Sequence, residues 1–323
     1  YKRQIVGRSY VQPYAPFAHR NIIPAIEDLA TFLKGSKVAP VDQFNLLAPM
    51  FQRVIGSGVM RIALSGLDMA LWDAAAKAAD LPLAELLGSS LAPLPSYNSN
   101  GLWLIPLDKL ADEACELLEE GGFRAVKARA GRGTLAEDVK ALEIIRGVIG
   151  DDVELMVDFN QAMPYGEALQ RCVAMDDLGL LWFEEPVMYD DFRSCAELRS
   201  KLRTPIQIGE NFYGPRDVYN AIEQRACDYI MPDMKRIGGV TGWLQSAPIA
   251  AAAGVQVSSH LYPEASAHML RVSQTAHYAE WVDWANPILE EPWQVDGGYL
   301  HMPDRPGLGI SWNLEAIDKD RIR

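Results

Sequence analysis

The sequence predicts an α/β fold built as a closed barrel of parallel strands, and three observations carry that expectation. Eight short apolar runs recur at intervals of roughly 20–30 residues, as expected of strands buried on both faces. Amphipathic helical stretches separate them, in the alternation that builds a parallel sheet. No glycine-rich phosphate or dinucleotide loop follows any of the runs, which weighs against an open Rossmann sheet or a P-loop fold. The spacing fits a (β/α)8 barrel better than a doubly wound sheet.

Taken in order, the chain opens on Tyr1-Lys-Arg-Gln-Ile-Val-Gly7, with no initiator methionine, signal peptide or polar leader. It reads like the middle of a strand, so the expectation is a front end that lacks its N-terminal part. Apolar residues at helical spacing predict a helix over 21–33 and a close-packed one over 65–77, stopped by Asp80-Leu81-Pro82. A short helix over 83–87 ends at Gly88. The Pro-rich stretch Leu91-Ala-Pro-Leu-Pro95 is the best candidate boundary. Strands are then expected over 96–99, 125–130, 154–160, 180–185, 206–211, 229–233, 255–260 and 278–282. Helices are expected over 107–120, 135–149, 166–178, 215–224 and 241–253.

Composition bounds the function. At 323 residues the chain has room for about two domains. Apolar residues at 49% and charged ones at 23% are ordinary for a globular protein. Forty-three acidic against 30 basic side chains give a net charge of −13, which repels phosphate backbones and anionic lipid, so neither nucleic acid nor membrane is an expected partner. No run of about 18 uninterrupted apolar residues occurs. Cys115, Cys172, Cys195 and Cys227 show no paired-ligand spacing. They fit small buried hydrophobes in a reducing compartment, and the expected location is the cytoplasm.

The chemistry lies at the strand ends. The runs finish in Lys127-Ala-Arg129, Asp158-Phe-Asn160, Glu184-Glu185, Glu210-Asn211, Asp233 and His260, and the eighth carries Glu280. A barrel enzyme draws its catalytic groups from the C-terminal ends of its strands, so these charges should converge on one mouth. An unpaired buried charge costs several kcal/mol, so such a ring calls for an ion or a substrate. Singly, each carboxylate reads as a helix cap or a surface charge; three at equivalent places in successive units read otherwise. Asp158, Glu184 and Glu210 form an all-oxygen set suited to Mg²⁺, with no Cys or His among them to suggest zinc. Lys127 and Arg129 leave the same strand face and would put two cations beside that metal, or serve as plain ion-pair partners. Asp233 can fix the tautomer of His260 and raise its basicity. His19, His268, His277 and His301 carry no such signal and read as core or surface. Tyr10, Tyr14, Trp103 and Tyr262 are either pocket or core aromatics.

These segments, with Ile237-Gly-Gly-Val-Thr-Gly-Trp243 and Ser258-Ser-His-Leu261, make the chain resemble the mandelate racemase subgroup of the enolase superfamily, from about Val6 to about Trp312. The resemblance implies a (β/α)7β TIM-like barrel over 94–299, with an α+β capping domain from 1–93 plus about 300–323. It implies that Asp158, Glu184 and Glu210 hold Mg²⁺, that His260 is a base oriented by Asp233, and that Lys127 stabilises an enediolate. Glu280 would donate a hydrogen bond to the substrate carboxylate, and Ser99 and Asn160 would touch substrate. The implied reaction removes the proton α to the carboxylate of a small 2-hydroxy acid. A homo-oligomer is also implied. Mandelate racemase carries a second lysine, its other base, where this chain has Arg129. A guanidinium is a poor base near neutrality, so the expectation shifts toward one-base dehydration of an acid sugar. Racemisation of a mandelate-like acid is the alternative, and a catalytically inactive barrel kept for binding is the alternative of another class.

Overall fold

In the computed structural model, residues 5–51 and 58–319 are described. Helices α1 (Pro16–Leu33), α2 (Pro40–Phe51) and α3 (Val59–Ala79) and the single turn α4 (Leu83–Leu86) precede the barrel. There follow β1 (Leu94–Asn98), α5 (Leu110–Glu119), β2 (Ala125–Arg129), α6 (Leu135–Ile149), β3 (Glu154–Asp158), α7 (Tyr165–Met175) and β4 (Leu180–Glu184). Next come α8 (Phe192–Arg199), β5 (Ile206–Ile208), α9 (Pro215–Glu223), β6 (Tyr229–Ile230), α10 (Met234–Ile237) and α11 (Gly239–Ala252). The chain ends through β7 (Gln256–Val257), α12 (Pro263–Val272), β8 (Ala279–Trp281), the hairpin β9 (Gln294–Asp296) and β10 (Tyr299–His301), and α13 (Leu314–Lys319).

Strands β1 to β7 pair in parallel with their sequence neighbours, and β8 pairs in parallel with β1. A bridge between Val257 and Ala276 closes the circle on the remaining side. All eight expected strands are present in order, but most stop short of the predicted ends. Positive φ at Asn160 (46°), Glu185 (41°) and Gly209 (130°) swings the chain out of the sheet just past β3, β4 and β5. Ser99, Asn160, Asp233 and His260 all stand on the loops after their strands. The helices α2, α8 and α12 and the β9–β10 hairpin were not expected. The predicted Pro-rich boundary is already sheet at its end, because Leu94 and Pro95 pair with Leu300 and Tyr299 of β10. The predicted opening strand falls partly on residues 1–4, outside the described residues, and Ile5–Gly7 form no strand.

Strand alternation sorts the side chains into two cores. Val126, Ala128, Leu155, Val157 and Phe183 face the surrounding helices in the main core. Tyr97, Ala125, Met156 and Trp182 fill the barrel interior, with Tyr229 and Tyr278 packed against them. Edge-on aromatic pairs, such as Tyr97 with Trp182 at 5.5 Å, make this layer a solid floor. Two residues further along β2, β3 and β4, the inward positions are Lys127, Asp158 and Glu184, so the polar site sits directly on that floor.

The helical front end is joined to the barrel at α3. Asp68 there accepts from the Thr241 amide at 2.9 Å and its hydroxyl at 2.6 Å, capping α11 from another element. Gly239, at φ 66°, is required at this joint, since a Cβ would lie 2.6 Å from Asp68 Oδ2. Burial, only partly offset by the bonds from Thr241 and Val240, pushes the Asp68 carboxyl up to about 7. The chain returns to the same region near its end, where the Leu308 amide donates to Asp73 Oδ1 at 2.8 Å and Gly307 bonds Leu81 and Leu83. Of the cysteines, Cys172, Cys195 and Cys227 are buried and free as expected, whereas Cys115 is exposed, on the outer face of α5. Among the described residues no helix is long and apolar enough to cross a membrane.

Candidate active site

In-register pairing of Arg129 with Asp158 and of Asp158 with Glu184 sets these residues at one level across β2, β3 and β4. Glu210 reaches the same level from the bend after β5. Asp158, Glu184 and Glu210 are all buried and each offers a carboxylate oxygen within 4.8 Å of the others. Burial, and then the neighbouring Asp158 charge, push Glu184 well above the usual carboxylate range. Clustered, buried, mutually repelling carboxylates are what a hard divalent cation relieves, so the donor set fits Mg²⁺. Asp158 is aimed by its own turn, its Oδ1 accepting from the Asn160 amide at 2.7 Å and its Oδ2 from the Asn160 side chain at 3.0 Å. Trp182 donates to Glu184 Oε2 at 3.1 Å from the floor below.

Lys127 is fully buried, 2.7 Å from Glu184 Oε1 and 2.8 Å from Glu280 Oε1. Burial pulls its pKa down, but those two carboxylates more than offset it, and the ammonium is held above its ordinary value. Glu280 is driven the other way: burial raises it, Lys127 and His260 outweigh burial, and the carboxyl falls to about 2. Its second oxygen accepts the Leu261 amide at 2.7 Å. Both Glu280 oxygens thus have donors at hand, Lys127 on one and the Leu261 amide on the other.

Arg129 lies 3.2 Å from Asp158 Oδ2, reaches the buried Ser99 hydroxyl at 3.4 Å, and stacks 4.6 Å from the Trp103 ring. Burial lowers its pKa, yet Asp158 and the other carboxylates raise it further, so the net shift is upward. Its closest charged partner is Asp158, so its geometry is that of an electrostatic clamp on that carboxylate. Asn160 is solvent-exposed at the rim.

Across the mouth, Asp233 and His260 meet as an isolated bridge between the β6 and β7 ends. Asp233 Oδ2 lies 2.7 Å from His260 Nδ1, and His260 Nε2 lies 3.2 Å from Glu210 Oε2. Asp233 accepts from Nδ1–H, which turns Nε2 toward Glu210 and the acidic pocket. Asp233 is buried, which alone would raise it, but Lys235, the His260 bond and Arg236 hold it well below the usual range. Lys235 and Arg236, which follow Asp233, were not singled out from the sequence, although the strand-end rule that selected the others applies equally to them. Tyr14 reaches this side as well, its ring 3.9 Å from Lys235 Nζ. Tyr10 and Tyr262 are packed against each other at 5.1 Å beneath it, and Trp103 is half-exposed beside Arg129. His268 is a core histidine that accepts the Ala84 amide at 3.1 Å.

Comparison with known proteins identifies the family. The profile described as enolase C-terminal domain-like matches residues 109–317, and that of the mandelate racemase / muconate lactonizing enzyme N-terminal domain matches 2–88. The chain is 33% identical to the L-talarate/galactarate dehydratase of Salmonella typhimurium LT2 over 80% of its own length and 65% of that protein's. It is 32% identical to the arabinonate dehydratase of Saccharolobus solfataricus, over 79% of this chain and 70% of that protein. Among solved structures, an enolase from alpha proteobacterium BAL199 with bound Mg superposes with a TM-score of 0.96 at 46% identity, over 98% of this chain and 88% of that one. An enolase from Bradyrhizobium complexed with magnesium and mandelic acid gives 0.96 at 38% identity, over 100% and 88%. The chain belongs to the mandelate racemase / muconate lactonizing enzyme family of the enolase superfamily.

Proposed function

We propose that this chain is a Mg²⁺-dependent enzyme that removes the proton α to the carboxylate of a 2-hydroxy acid, and that it completes the reaction by dehydrating an acid sugar. The observation that carries this reading is the placement of His260 Nε2, 3.2 Å from Glu210 and backed by Asp233. It sets an oriented base at the edge of a cation-binding pocket. The cation, when held by Asp158, Glu184 and Glu210, supplies positive charge against the substrate carboxylate, whose α-proton is otherwise very weakly acidic. Lys127, paired with Glu184 and Glu280 beside that pocket, would stabilise the second negative charge of the enediolate. His260 takes the α-proton through Nε2, and Asp233 stabilises the imidazolium. The same imidazolium then returns the proton to the departing β-hydroxyl, so one residue serves both half-reactions. Racemisation needs a competent base on each face, and the guanidinium of Arg129, a poor base near neutrality, supports the one-base reading.

The dehydratase names of the two curated relatives support this choice. The Bradyrhizobium structure holding magnesium and mandelic acid supports a second reading, racemisation of a mandelate-like acid. Screening acid sugars and mandelate in deuterated water separates the two. Keto-acid formation from an acid sugar supports dehydration; α-deuteration with inversion and no keto acid overturns it. We place the cap over 1–93 plus about 300–323 and the barrel over 94–299. We also propose a cytoplasmic homo-oligomer, supported by the buried free thiols of Cys172, Cys195 and Cys227 and by the exposed Phe17, Ile23 and Phe32 on α1. Sedimentation of the full chain checks the assembly.

A further inference from the structure

The turn of helix after β6 buries a cation that the reaction as described leaves unused. Lys235 is 1% exposed, and its ammonium donates no hydrogen bond. A buried charged group without a hydrogen-bond partner is costly and calls for a physical reason. Three neighbours enclose the nitrogen: Asp233 Oδ2 at 3.3 Å, the Tyr14 ring at 3.9 Å and the Tyr262 ring at 5.5 Å. Burial pulls the amine below its ordinary value, and Asp233 pulls part of the shift back. The Asp233 oxygen it faces is the one that binds His260 Nδ1 at 2.7 Å. The other oxygen is fixed by the Lys235 backbone amide, also at 2.7 Å. Residue 235 thus touches both oxygens of the carboxylate that orients the histidine.

We propose that Lys235 is a positioning residue for the proton-abstracting pair: by sharing Asp233 Oδ2 with His260, its ammonium fixes that oxygen in line with Nδ1 and limits how strongly the carboxylate draws the imidazole proton. The Tyr14 ring, on the segment that leads into α1, packs against the same ammonium. On this proposal its effect reaches substrate through His260, whose Nδ1 shares Asp233 Oδ2 with the amine. The proposal rests on the reading of His260 as the base.

The test uses the full chain with Mg²⁺ and two variants, Lys235→Met and Lys235→Arg, with Lys235→Gln in place of the first if Met fails to fold. The first readout needs no substrate: the far-downfield Nδ1–H proton of His260, assigned by its loss in His260→Asn. It is expected to move in the neutral variant and to return toward the wild-type position in Lys235→Arg. The second readout is turnover: kcat is expected to fall about tenfold or more in the neutral variant, as for other residues that orient a functional ligand, with KM little changed and rate recovered by Arg. An unmoved Nδ1–H resonance overturns the proposal, as does a loss confined to KM. If the wild type turns over none of the acids, the reading of the reaction fails, and the resonance alone decides the role of Lys235.

Discussion

The two sides of the barrel mouth solve one problem in opposite ways. On the β3–β5 side, Asp158, Glu184 and Glu210 are buried together, and Glu184 is pushed well up by burial and by Asp158. On the β6–β7 side Asp233 is just as buried, yet it is held well below its ordinary range by Lys235, His260 and Arg236. The first group keeps Lys127 and Arg129 beside it and still leaves Glu184 pushed up, which suits an added cation; the second is compensated by the cations already in the fold. A buried carboxylate is tolerable only with a partner, and whether the fold's own cations suffice separates a binding pocket from an oriented base.

That contrast can be broken from either side. The largest effect is expected from Lys127→Met, which strips the permanent counter-charge from Glu184 and Glu280. Removing one partner of a buried pair costs about 3–5 kcal/mol, read as a lower denaturation midpoint without metal, and Mg²⁺ should recover part of it. Next is the metal itself. Mg²⁺ at about a hundredfold above its Kd should stabilise the wild type by about 2.7 kcal/mol, and Glu184→Gln should weaken that response most, as read by thermal unfolding across a Mg²⁺ titration. An unresponsive wild type at millimolar Mg²⁺ would favour an inactive binding barrel. On the other side, Asp233→Asn should lower kcat about 10–100-fold while leaving the Mg²⁺ response intact.

The smallest effect sharpens the rule at a third place. Asp68 is a buried acid with neither a metal nor a cation at its side, only the helix N-terminus and Thr241. Its carboxyl is raised from about 3.8 to about 7, so the folded state binds its proton more tightly. The stabilisation is full below the lower value and is lost as pH rises through the upper one. Relative to wild type, Asp68→Asn should therefore gain on the order of 1 kcal/mol between about pH 5 and about pH 8, measured by urea midpoints. A gap that does not change with pH would remove Asp68 from the account.

The barrel was legible because its signals are local. Each strand is a short apolar run closed by a charge, and periodicity two places Lys127 and Arg129 on one face without knowledge of the fold. The ligand set followed, since one carboxylate per successive strand end can converge only in a barrel. Strand ends were less legible because they are fixed by backbone bends, such as the positive φ of Glu185, which no β propensity forbids in advance. The β9–β10 hairpin had a signal, the Gly297-Gly298 turn, but its strands have three residues each and alternate weakly. The Lys235–Tyr14 contact had none, because residues 221 positions apart meet only when the front end closes over the mouth.

The central claim is that His260 Nε2 takes a proton from the α-carbon of a 2-hydroxy acid held at the cation pocket. Solvent-deuterium incorporation at that carbon, followed by mass and NMR with saturating Mg²⁺, tests it most directly. The account predicts exchange or deuterated product with the wild type and a fall of about 10²–10⁴-fold in His260→Asn, whose Mg²⁺ response stays intact. Exchange that persists undiminished in His260→Asn would contradict it.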